Sequence, residues 1–144
     1  MKKFLVALDQ SKTAELVVDQ AVSIAGTGVA ELLLLQAVTL PVDVPTDIYY
    51  RPKDELPALL QDEAQKNLEV LSQRVPKTIS RRTIVELGVP WQTICEVAKR
   101  EKVDMIVMGA HGYRFYERML GTTSGRVVTH ADRPVLVVRP IEQK

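Results

Sequence analysis

Val107-Met-Gly-Ala-His-Gly112, followed by Gly121-Thr-Thr-Ser124, is the stretch that decides the fold. An apolar run ends at the first glycine, a glycine-bearing loop follows, and hydroxyl residues stand where a helical pattern begins. Glycines let the backbone approach an anion closely, and the first turn of a helix presents unpaired N–H groups and a positive dipole end. This order of strand, loop and helix suits a phosphate site in an α/β protein, although a plain turn after a strand has the same composition.

Length and charge limit the classes of protein to which the chain can belong. Its 144 residues fit one domain, 1–144, and its 19 basic and 18 acidic residues leave a formal charge of only +1. Proteins that bind nucleic acid or membrane surfaces usually carry a clear basic excess. Cys95 is the only cysteine, and the first apolar run meets Asp9 too early for a signal peptide or a membrane span. We therefore expect a cytoplasmic protein that binds neither nucleic acid nor membrane.

Short apolar runs alternate with segments of helical periodicity along the chain. The pattern predicts strands over 4–8, 31–37, 79–87, 103–108 and 134–138, and helices over 14–25, 56–75, 90–98 and 124–131. The first two strands are continuously apolar, which is typical of strands covered on both faces of a parallel sheet. The Arg81-Arg82 pair favours a sheet edge for the third. Strands joined by helical crossovers form an open sheet with helices on both faces.

Ligands bind such sheets at the carboxyl ends of the strands, where Asp9 and Gly109 stand. Asp9 can accept hydrogen bonds from an adenine amine or ribose hydroxyls, or it can cap the helix that follows. His111 can donate to a phosphate or be a solvated loop residue. Cys95 is interpreted as a small subsurface residue rather than a catalytic thiol. The proline-bearing segment 38–53 is interpreted as a long loop to which no role is assigned.

Several motifs, taken in order, resemble the universal stress protein family. They are Leu5-Val-Ala-Leu-Asp9, Gly88-x-Pro90, Asp104-Met-Ile-Val-Met-Gly109-x-His111-Gly112, Leu120-Gly121-Thr122 and His130-Ala131-x-x-Pro134-Val-Leu-Val-Val138, and they cover nearly the whole chain. The resemblance implies a Rossmann-like sheet of five parallel strands in the order 3-2-1-4-5. It also implies a homodimer formed through the last strand, with Val135, Leu136, Val137 and Val138 at the interface.

The resemblance further implies a nucleotide site. Members that bind ATP carry a glycine, two residues, a second glycine, nine residues and then Gly-Ser or Gly-Thr. Here eight residues separate Gly112 from Gly121, a spacing that some nucleotide-binding branches share. Adenosine would lie against Asp9 and its neighbours, and the phosphates would lie against the glycines and the hydroxyl residues after them. The implied nucleotide-binding residues are Ala7, Leu8, Asp9, Ala37, Met108, Gly109, His111, Gly112, Gly121, Thr122, Thr123 and Ser124.

Three functions are compatible with these observations. The first is a stress-response regulator that binds ATP, with or without Mg²⁺, and acts as a homodimer on an unidentified protein partner. The second is a dimeric interaction module that binds no nucleotide. The third is a slow ATPase or phosphotransferase, although the chain lacks Gly-x-x-x-x-Gly-Lys-Ser/Thr and no second carboxylate accompanies Asp9 in an evident metal motif. We expect the first, without catalytic residues and without a metal site made by the protein.

Overall fold

The computed structural model describes residues 2–26, 30–39, 55–110 and 120–140. Strands and helices alternate through these residues as β1 (Lys2–Ala7), α1 (Ala14–Ala25), β2 (Ala30–Val38), α2 (Glu55–Ser72), β3 (Ser80–Leu87), α3 (Pro90–Arg100), β4 (Met105–Gly109), α4 (Thr122–His130) and β5 (Val135–Val138). Neighbouring strands are parallel, in the order β3-β2-β1-β4-β5. The α/β fold class and the strand order are confirmed. His111, Gly112 and nearly all of the segment 38–53 lie outside the described residues.

Both faces of the central strands are buried, as their continuous apolar runs predict. In β1, Leu5 and Val6 are both 0% exposed, and they belong to separate cores because successive strand residues point to opposite faces. Val6 packs in the core formed with α1 and α2, which includes Leu68. Leu5 packs in the core formed with α3 and α4, which includes Val97 and Val127. The sheet is therefore covered by helices on both sides.

The third strand lies at a sheet edge, and its two arginines explain how a polar strand is held there. Arg82 donates to Glu31 of β2 at 2.9 Å and to Glu101, just after α3, at 2.5 Å. Arg81 donates to the backbone carbonyls of Val75 and Pro76, both at 3.1 Å. These ties fix the strand, and the charges discourage pairing with another chain.

Observed boundaries differ from the predicted ones by a few residues. The last helix begins at Thr122 rather than 124, directly after the extended Gly121, and ends before the extended Ala131. The α2 helix ends at Ser72 rather than 75, because the next turn tightens into i to i+3 hydrogen bonds such as Gln73 N–H to the Val70 carbonyl. No helix among the described residues is long and apolar enough to cross a lipid bilayer.

Candidate functional site

A cleft with a volume of about 550 Å³ lies at the carboxyl ends of β1, β2 and β4. Its lining residues are Ala7, Leu8, Asp9, Thr13, Ala14, Val17, Leu35, Ala37, Pro90, Ile94, Met108, Gly109, Ala110, Gly121, Thr122, Thr123 and Ser124. Every residue that the resemblance implies for the nucleotide site, and that the structure describes, is in this set. The two others, His111 and Gly112, lie outside the described residues. The parallel sheet thus brings together segments more than 100 residues apart in sequence.

The lining also contains residues that sequence reasoning did not assign to a site. Val17 and Ile94 have the helical spacing of core residues and do pack in the two cores, but they reach the cleft as well. Thr13 is the N-cap of α1 and Pro90 is the first residue of α3, and both lie at the same edge of the sheet. Helical periodicity identifies the buried face of a helix but does not show which part of that face borders a cleft. Of these four residues, only Pro90 stood in a sequence motif, Gly88-x-Pro90, that could have assigned it to the site.

Asp9 closes a turn and does not cap α1. Its Oδ1 accepts the Ser11 N–H at 2.9 Å, while the Ser11 and Thr13 hydroxyls are hydrogen-bonded at 2.8 Å. Thr13 is the N-cap of α1 and the helix has no side-chain cap, so the capping interpretation of Asp9 is not realised. Oδ2 has no partner among the described residues. Asp9 is exposed, and this oxygen can accept a hydrogen bond from a ligand.

The N-terminus of α4 forms part of the cleft wall. Gly121 is its N-cap, with φ −67° and ψ 172° and no side-chain cap, and its own N–H donates to the Ala110 carbonyl at 2.8 Å. The next N–H groups, those of Thr122, Thr123 and Ser124, have no carbonyl within the helix to bond. The positive end of the helix dipole reinforces their attraction for an anion.

The hydroxyl of Ser124 is already engaged in the fold. Ser124 is buried, and its Oγ donates to the Ala110 carbonyl, with the Gly121 carbonyl 3.2 Å away. A phosphate oxygen needs a hydrogen-bond donor, so a bound phosphate would meet the Ser124 N–H rather than its hydroxyl. Thr122 is exposed, which leaves its hydroxyl accessible from solvent.

The cleft is polarised across its width. Asp9 is the only charged side chain among the described lining residues, and it lies beside β1, whereas the uncapped N–H groups belong to α4. Between them the floor is apolar, with Leu35 and Met108 buried. Such a cleft suits a flat, partly apolar ligand with donors at one end and an anionic group at the other. Within the described ranges, no three His, Cys, Asp or Glu residues are grouped so that they could hold a metal ion.

Cys95 lies outside this cleft. It is half-buried against the core under α3 and α4, and burial raises the pKa of its thiol, with a further rise caused by Asp132 and Glu96. A raised pKa lowers the thiolate fraction, as expected of a structural cysteine. Nearby, the His130 ring stacks on Trp91 with 4.7 Å between the ring centroids.

Comparisons with known proteins agree with this architecture. The model of the universal stress protein family matches residues 1–139. Universal stress protein YxiE of Bacillus subtilis is 33% identical over 95% of this chain and 98% of its own length. The solved structure of MJ0577, a universal stress protein of Methanocaldococcus jannaschii, is 27% identical, covers 99% of this chain and 98% of its own, and superposes with a TM-score of 0.84.

Two solved structures of lower identity contain an adenine nucleotide. One is a universal stress protein in complex with cAMP, at 22% identity, with 96% of this chain and 96% of that chain covered and a TM-score of 0.64. The other is a universal stress protein family protein from Arabidopsis thaliana with AMP bound, at 21% identity, with 98% and 93% covered and a TM-score of 0.60. At these identities the likeness to the present chain concerns the fold.

Proposed function

The chain belongs to the universal stress protein family, and we propose that it is a regulatory protein of the stress response that binds an adenine nucleotide, foremost ATP, in the cleft between β1 and α4. One observation carries the proposal. The uncapped N-terminus of α4 borders the same cleft as the carboxylate of Asp9. A ligand with hydroxyl and amine donors at one end and phosphates at the other complements both.

The polarity of the cleft sets the orientation of the proposed ligand. The ribose hydroxyls or the adenine amine would donate to Asp9, and the base would lie on the apolar floor beside Ala37. The phosphates would accept hydrogen bonds from the N–H groups of Thr122, Thr123 and Ser124. In the opposite orientation the phosphates would meet the carboxylate of Asp9, which like-charge repulsion disfavours.

The choice of an adenine nucleotide has two supports besides the cleft. The glycine pattern ending at Gly121-Thr122 is similar to that of family members that bind ATP. Two proteins of the same fold hold cAMP and AMP. We propose binding with or without Mg²⁺, and no catalytic role for any residue.

Homodimerisation through β5 is part of the same proposal. Val135, Leu136, Val137 and Val138 form an edge strand whose side chains are all only partly buried. An apolar edge strand presents backbone groups and side chains that a second copy can cover. We propose that nucleotide binding changes how this dimer meets its protein partner.

Thermal unfolding with added ATP, using two glycine variants, tests the nucleotide site. A ligand at 100 times its Kd stabilises the folded state by about 2.7 kcal/mol, so the Tm of the wild-type protein should rise. Gly121→Val should abolish this rise, because the new side chain would stand where phosphates approach; the backbone angles of Gly121 do not themselves require glycine. Gly125→Ala is the matched control, since within the part of the chain that the structure describes its new Cβ would meet only the Leu120 Cβ, at 4.0 Å.

Two results would contradict the proposal. If Gly121→Val responds to ATP as the wild type does, this glycine is not in the site. If millimolar ATP leaves the wild-type Tm unchanged and chromatography of the denatured protein releases no nucleotide, the chain is a nucleotide-free interaction module instead.

A further inference from the structure

Asn67, on α2, contacts the loop that carries Asp9. Its Nδ2 donates to the backbone carbonyl of Asp9 at 3.2 Å and to Oε1 of Gln36 at 2.7 Å. One amide nitrogen carries two hydrogens, so both bonds can form together. Gln36 belongs to β2 and is only 7% exposed, which makes it a rigid anchor. Asn67 therefore links a strand of the sheet to the loop that carries Asp9.

We propose that Asn67 is a positioning residue for the nucleotide site. This proposal rests on the proposed function of the cleft. It would not touch the ligand. It holds the carbonyl of Asp9 and thereby the loop between β1 and α1. Neither Asn67 nor Gln36 is among the lining residues, so the effect passes through the backbone of Asp9.

Among the described residues, few other hydrogen bonds join the loop that Asn67 holds to the rest of the fold. Within it, Asp9 Oδ1 accepts the Ser11 N–H, and the Ser11 hydroxyl pairs with that of Thr13, which lines the cleft. These bonds keep the internal shape of the loop. Among the described side chains, Asn67 is the one that ties Asp9 to another element. Without it, we expect the turn to open more often, which breaks the bond between the Ser11 N–H and Asp9 Oδ1 and exposes that N–H to solvent.

The expected cost in affinity follows from the population of the binding-competent loop. If the loss of Asn67 leaves that conformation about one-tenth populated, the apparent Kd for ATP rises about tenfold. The hydrogen bond that is lost has a net worth of the same order, since tenfold corresponds to about 1.4 kcal/mol. Because only the competent fraction binds, the apparent on-rate should fall by about the same factor.

The α2 helix offers a matched control two residues away. Gln65 donates to Thr83 of β3 at 3.0 Å and to Glu69 at 3.4 Å, and it has no bond to the cleft. Asn67→Leu and Gln65→Leu each remove an amide that joins α2 to the sheet. Only the first frees Asp9. Asn67→Asp is a gentler second variant of nearly the same shape, whose carboxylate cannot donate to the Asp9 carbonyl.

Two measurements on the full chain decide the proposal. Amide hydrogen exchange is followed at residues 9–13 without ligand, and ATP binding is measured by calorimetry. We expect both Asn67 variants to speed exchange at residues 9–13 about tenfold and to weaken ATP binding by a similar factor. Gln65→Leu should leave both values at those of the wild type.

Unchanged exchange at residues 9–13 in Asn67→Asp would overturn the proposal. Faster exchange with unchanged ATP affinity would overturn the link to binding while leaving the proposed function intact. A wild-type protein that binds no ATP would refute the proposed function and with it the link to binding, and the exchange data would still decide whether Asn67 holds the loop. Equal effects of Gln65→Leu would reduce Asn67 to a general stabiliser of α2 and overturn its positioning role.

Discussion

Gly88 should be irreplaceable for steric reasons that can be tested quantitatively. It joins β3 to α3 with φ +157°, a conformation that side chains rarely adopt, and its N–H donates to the Val38 carbonyl at 2.9 Å. A Cβ built at this position lies 2.5 Å from Oγ1 of Thr93, which is only 4% exposed. A change in the backbone angles of Gly88 or a shift of the buried Thr93 side chain would each lower the free energy of unfolding.

The two penalties in Gly88→Ala can be estimated separately. Holding a non-glycine residue in a sparsely populated backbone region costs about 1–3 kcal/mol. Forcing an extra carbon into a packed site costs about 1–3 kcal/mol more. The variant should therefore lose about 2–6 kcal/mol of the free energy of unfolding, measured by urea denaturation with circular dichroism. That is a large part of the total stability of a small domain.

A double-mutant cycle isolates the steric part. Thr93→Ala removes Oγ1, and the next atom that the new Cβ would meet, the Cβ of Thr93, lies at 3.8 Å, an ordinary contact. Gly88→Ala should thus cost about 1–3 kcal/mol less in the Thr93→Ala background, a coupling that the cycle measures directly. Thr93→Val keeps a methyl group where Oγ1 lies, so Gly88→Ala should cost nearly as much in the Thr93→Val background as in the wild type. A cost below about 1 kcal/mol for Gly88→Ala, or no coupling with Thr93→Ala, would refute the reasoning.

Three further predictions concern the core, the ion pairs and the proposed dimer. Leu34→Ala, at a site with 0% exposure, should cost about 2.7–5 kcal/mol in chemical denaturation, whereas Leu59→Ala, at 53% exposure, should change stability little. Hydrogen bonding to Arg82 lowers the pKa of Glu101. The stability that ionised Glu101 contributes is therefore fully present above its unfolded-state pKa and is lost as pH falls through its folded-state pKa. Glu101→Gln should make the free energy of unfolding fall less steeply with decreasing pH in this range. Val137→Lys should shift the mass measured by light scattering from dimer to monomer, and an unchanged mass would contradict the edge-strand interface.

Local patterns predicted most of the fold because they report burial directly. The apolar run around Leu5 and Val6 has no polar alternation, and both residues are fully buried on opposite faces. Arg81 and Arg82 marked β3 as an edge, and the structure places it there. The boundaries were less accurate, as at the end of α2, because the final turn tightens through backbone bonds that no side-chain pattern records.

For the candidate site, the sequence alone determined which residues stand at the ends of strands and the beginnings of helices, including Asp9, Gly109 and Gly121, because helix and strand periodicity are local properties. Only the tertiary structure decided which hydrogen bonds the residues of the site form with distant parts of the chain. It committed the Ser124 hydroxyl to the Ala110 carbonyl and placed the Asn67 amide against the Asp9 carbonyl. Hydrogen bonds between residues 14 to 58 positions apart depend on how helices pack on the sheet, and no local pattern encodes that geometry.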